Sequence, residues 1–210
     1  MSEWIERSKR LYERAVYAGD EGALSESARE LDAVEAALAL ARGRVLHVRF
    51  LDERRPDPAA LALFERALSL YQALGDARGE AAALFWVGCY HQVVEGDHDT
   101  AVPLLERSRD LADGDTDIRA EALRHLGIAD HAAGRYDSAK RNLEESSRLR
   151  REIGLLPGVA ANMVGLIHIA LAEGRRDDAL DLAERARAIA VECGAERVVA
   201  FVDEARAQLG

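Results

Sequence analysis

The chain has 210 residues, with 28 Lys and Arg against 38 Asp and Glu, a formal net charge of −10. That acidic balance argues against a binder of nucleic-acid backbones, which needs clustered Lys and Arg. A hydrophobic content of 49 % with only 4 prolines indicates a globular, helix-rich chain rather than a disordered one.

In chain order, Glu3 to Tyr17 reads as a first helix, and Gly19-Asp20-Glu21-Gly22 interrupts it. Ala23 to about Leu51 keeps helical periodicity through Leu24, Leu31, Val34, Leu38, Val45 and Val48. Asp32 followed by Glu35 resembles a capping pair and Gly43 is a weaker break, so one helix or two is open at this point. Asp57 as N-cap with Pro58 at the first helical position starts a helix to Leu74. Further helices are expected over Arg78–Val94, from His98 or Asp99 to Ala112, and over Asp117–Ala133, Tyr136–Ile153, Pro157–Ala172 and Arg176–Glu192. Pro103 is expected in the first turn of its helix, where few amides have intrahelical partners. Glu196–Leu209 is a final single helix, expected to cover the apolar flank of the last pair. No run of 18 apolar residues predicts a membrane span. Met1-Ser2-Glu3-Trp4 lacks the basic and apolar blocks of a signal peptide. Two cysteines, Cys89 and Cys193, make no disulfide framework. A soluble cytoplasmic protein is therefore expected.

Internal periodicity is the strongest feature. Gly96-Asp97-His98-Asp99-Thr100-Ala101, Gly134-Arg135-Tyr136-Asp137-Ser138-Ala139 and Gly174-Arg175-Arg176-Asp177-Asp178-Ala179 share one pattern of Gly, polar, any, acidic, polar, Ala. A degenerate copy ends at Ala60. The glycines fall where one helix stops and the chain reverses, and the alanines where two helices approach closely. A repeat near 40 residues points to stacked helix pairs.

This pattern resembles the tetratricopeptide repeat family. The best copy is Leu126, Gly127, Gly134, Tyr136, Ala139, Leu143 and Ser146. Gly88-Cys89 is displaced by one residue, and the repeat exceeds the family's usual 34 residues. It is similar to the longer, divergent repeats in the sensor regions of large bacterial transcriptional regulators, and Leu74-Gly75-Asp76 matches their second-helix ending. The resemblance implies an all-α fold, a tetratricopeptide-like right-handed superhelix of antiparallel helix pairs with a C-terminal capping helix. Residues 1–210 would form a single helical-repeat domain, with N-terminal helices over 1–33, four repeat-like pairs over 34–194 and the capping helix over 195–210.

The resemblance further implies that the first helix of each pair lines a concave groove. The expected groove residues are Arg42 and Arg49, then Trp86 and Tyr90, then Glu121, Arg124, Ile128 and His131, and finally His168. Trp86 and Tyr90 would offer an aromatic platform, with core packing as the competing reading for Trp86. The arginines would meet a carboxylate or phosphate, with plain surface charge as their competing reading. Arg148, Arg150 and Arg151 suit a C-terminal helical turn, where the helix dipole favours cations.

No motif for chemistry stands out. The six histidines include His125 and His131, six residues apart and pointing differently on one helix. No His-Glu-x-x-His or Cys-x-x-Cys run exists, and no Gly-x-Ser-x-Gly elbow or phosphate loop. No metal, cofactor, catalytic residue or enzyme activity is expected. The leading expectation is a protein- or peptide-binding scaffold using its concave groove. The alternatives are a small-molecule sensor of similar architecture and a structural homo-oligomer joined through Ala23–Leu51 or an apolar end. Neither nucleic acid nor membrane is expected as a partner.

Overall fold

A computed structural model describes residues 3–208. All regular structure among them is helical, in two compact units, Met1–Gly96 and Asp97–Gly210.

The first unit contains α1 (Glu3–Ala18), α2 (Glu21–Glu53), α3 (Pro58–Leu74) and α4 (Ala77–Tyr90). Asp20 caps α2, its Oδ1 accepting from the amides of Gly22 and Ala23. Asp57 and Asp76 cap α3 and α4 in the same way. The open question about Ala23–Leu51 resolves to one unbroken 33-residue helix. Neither Asp32 nor Gly43 interrupts it, because Gly43 lies against the ring of Phe64 and is needed for close helix approach. α4 ends earlier than expected, and His91–Glu95 continue it as a π-helical turn closed by Gly96. His91 Nδ1 lies 2.7 Å from a Glu95 carboxylate oxygen across that turn.

The second unit contains α5 (His98–Leu111), α6 (Thr116–Ala132), α7 (Tyr136–Glu152), α8 (Leu156–Ala172), α9 (Arg176–Glu192) and α10 (Glu196–Ala207). Leu209, placed in the last helix by sequence, lies outside the described residues. Asp97 and Asp115 cap α5 and α6. Later helices start without side-chain caps and follow a shared turn instead. At Gly134 (φ 71°) the Gly134 amide donates to His131 and the Arg135 amide to Asp130, satisfying the last carbonyls of α6. The same bonds recur around Gly154, Gly174 and Gly194. Pro103 departs from expectation. It lies in the second turn of α5, where the amide it lacks would have reached the Asp99 carbonyl.

Within each unit adjacent helices pack in sequence, and in the second α6 also meets α8, as α8 meets α10. Ala101, Ala139 and Ala179, the repeat alanines, are fully buried. α10 covers the last pair. Val202 and Ala205 close over Met163, Ile167, Ala179 and Ala183.

Candidate functional site

In the second unit, half-exposed residues recur at spacings of three and four along two helices. On α6 they are Ile118, Glu121, Arg124, Ile128 and His131; on α8 they are Ala161, Val164, His168 and Leu171. This spacing keeps each set on one helical face. Glu121, Arg124, Ile128, His131 and His168, all expected from sequence to line a groove, lie on these two faces. His131 and His168 join the faces, their rings 6.4 Å apart, with the Tyr136 ring 5.7 Å from His131.

Beneath the row lies a buried polar network. The inner face of α7 runs Ala139, Leu143, Ser146, Arg150, so helical spacing carries Arg150 into the interior. Its Nη2 donates to Glu121 Oε1 at 2.5 Å, and its Nη1 to the Gly158 carbonyl at 2.8 Å and to Asn162 Oδ1 at 3.1 Å. The stem passes over Gly158, where an added Cβ would approach Cδ to 2.8 Å. Arg124 Nη1 donates to the same Asn162 oxygen at 3.0 Å. Asn162 Nδ2 donates to Ser146 Oγ at 2.9 Å and Ser147 Oγ at 3.1 Å. These hydroxyls donate onward, Ser146 to the Ala120 carbonyl and Ser147 to the Leu143 carbonyl. Only Arg150 Nε, in this network, is buried without a hydrogen-bond partner. Such a network holds Glu121 and Arg124 in fixed positions at the surface, which lowers the ordering cost of binding.

Neither Arg150 nor Asn162 is among the groove residues expected from sequence. Arg150 lies in the last turn of α7, as expected, but is buried there as a network centre, while its neighbours Arg148 and Arg151 are exposed. Its position four residues beyond Ser146, on the apolar stripe of α7, was the available signal. For Asn162 it was a lone amide among Val159, Ala160 and Met163.

The His168 imidazole is held below its ordinary pKa, first by burial and then by His131, with Glu204 opposing. Burial alone does the same to His47 in the first unit. His47 Nδ1 has no hydrogen-bond partner, and Nε2 lies 3.9 Å from Cys89 Sγ.

The remaining expected residues belong to the first unit. Trp86 is half-buried, stacked on Phe64 at 5.3 Å and met edgewise by His47 and Phe85. The Arg44 guanidinium sits 5.4 Å from its ring centre. Tyr90 is buried, and desolvation raises its phenol pKa. Arg42 and Arg49 are exposed on α2. Trp86 and Tyr90 therefore present little free aromatic surface.

Among the described residues no group of three or more His, Cys, Asp or Glu side chains is placed to hold a metal ion. No described helix is long and apolar enough to cross a membrane.

Residues 90–152 match the tetratricopeptide repeat family model. In structure the chain is similar to a Podosopora anserina protein with nearly identical TPR-like repeats, assigned as a kinesin light chain. The two are 18 % identical, with a TM-score of 0.54 over 83 % of this chain and 86 % of that one. A glutamine-to-methionine variant of the same protein gives a TM-score of 0.55 at equal identity and coverage. No curated protein matches in sequence. The fold is thus that of TPR-like helical repeats, a fold that generally serves as a protein-interaction scaffold.

Proposed function

We propose that the chain is a peptide-binding scaffold whose docking surface is the α6–α8 face of the second unit. The observation that carries this reading is the half-exposed row of Glu121, Arg124, Ile128, His131, Val164 and His168, anchored from below by Arg150 and Asn162. Arg124 and the paired histidines suit a carboxylate, and Ile128, Val164 and Leu171 suit an adjoining aliphatic side chain. The ligand is accordingly a short segment in which Asp or Glu neighbours a Leu, Ile or Val. Arg42, Arg49, Trp86 and Tyr90 stand outside this surface. The TPR-like fold supports the class of function, and the row supports its location.

Panning a displayed random-peptide library against the wild-type chain is expected to enrich acidic–aliphatic segments. Their affinity should fall about tenfold or more in Ile128→Glu, roughly 1.4 kcal/mol. Binding unchanged in a folded Ile128→Glu protein would reject this face.

A further inference from the structure

We propose that α2 is the interface of an antiparallel homodimer. α2 is about 50 Å long at 1.5 Å per residue, about twice its neighbours α1 and α3. One side is used inside the chain. Ala36, Ala39, Leu40, Gly43 and Phe50 are buried there, with Gly43 against Phe64 of α3.

A different side of α2 carries a second apolar stripe. Leu24, Leu31, Leu38 and Val45 follow one another at intervals of seven and are 62, 40, 48 and 60 % exposed. Three residues beyond each lie Ser27, Val34, Ala41 and Val48. This is the a and d pattern of a two-stranded coiled coil, in a helix with one apolar face already buried. α1 pairs with α2 through Arg7 to Glu26 and Glu30, and leaves the leucine stripe exposed.

Charge selects the occupant and its direction. The first half of α2 carries Glu21, Glu26, Glu30, Asp32 and Glu35 against a single Arg29. Past Ala36 come Arg42, Arg44 and Arg49, with no acid before Asp52. A second copy running parallel would set acid beside acid and base beside base. Running antiparallel, it sets each acidic half along a basic half, and the heptads stay in register. Leu24 then meets Val48 of the second copy, Leu31 meets Ala41, and Val34 meets Leu38 across a two-fold axis. The interface is isologous and closes at two chains.

The test uses the full-length chain in a Cys193→Ser background, with mass measured by light scattering after size exclusion. A dimer is expected, and Leu38→Lys should weaken it at least 100-fold while circular dichroism stays unchanged. Direction is read by disulfide trapping. Leu24→Cys with Val48→Cys in one chain is expected to give covalent dimer, and Leu24→Cys alone none, because the two copies of position 24 stand about 36 Å apart at 1.5 Å per residue. A monomer at all concentrations, a dimer indifferent to Leu38→Lys, or efficient trapping through Leu24→Cys alone would each overturn the proposal.

Discussion

Arg150 donates to Glu121 across 2.5 Å from a site where only 3 % of its own side chain is exposed. The pair joins α7 to α6, while the same guanidinium reaches α8 through Gly158 and Asn162. Removing both members of such a pair is expected to cost less than the sum of the two single losses, since a lone buried charge keeps its desolvation cost. Glu121→Leu should lose about 3 kcal/mol of stability and Arg150→Met about 2 kcal/mol. The double variant should fall short of the sum by about 1–3 kcal/mol. Urea unfolding of the four proteins measures this, and additivity within about 0.5 kcal/mol would mean the residues are uncoupled.

Gly43 of α2 packs directly against the ring of Phe64 on α3. An added Cβ would stand 2.4 Å from the fully buried Phe64 ring. Alanine favours a helix over glycine by about 1 kcal/mol, yet overpacking here costs about 1–3 kcal/mol. Gly43→Ala is expected to be net destabilising, and Phe64→Leu in the same chain to restore part of the loss. A stabilised Gly43→Ala protein in thermal unfolding would contradict the packing described.

At Gly134 the constraint is backbone conformation. With φ at 71° and open space around the missing Cβ, the cost of Gly134→Ala is conformational, about 1–2 kcal/mol. Gly134→Asn should lose less, because asparagine tolerates the left-handed region. Chemical denaturation in which alanine and asparagine are equivalent would remove this explanation.

His47 and His168 both hold protons less tightly when folded than at the ordinary value of about 6.5. Above that value both states are neutral at these sites, and the shifts contribute nothing. As pH falls through about 6.5 the unfolded chain takes up protons first, so stability drops until the folded values are passed. Unfolding midpoints should therefore decline from pH 7.5 to 5.5. His47→Phe, beside Phe50 and Trp86, should flatten that decline. An identical slope in the variant would exclude His47 as a contributor.

The sequence alone determined the helical text of this protein and its turns. Helix starts at Pro58, Tyr136 and Arg176 and the buried repeat alanines follow from caps, glycines and periodicity, which act within a few residues of chain. The α6 and α8 faces carrying Glu121, Arg124, Ile128, His131 and His168 were legible for the same reason, since spacing along one helix sets which side chains share a side. The continuity of α2, the π-helical turn at His91–Glu95, the packed state of Trp86 and the burial of Arg150 emerged only from the tertiary structure. Each depends on what a distant segment brings alongside. Phe64 reaches Gly43 and stacks on Trp86, and Glu121, Gly158 and Asn162 converge on a guanidinium that its own helix end would equally have left in water. Whether a charge is desolvated is decided by the helices that close around it, and those contacts are not written in local spacing.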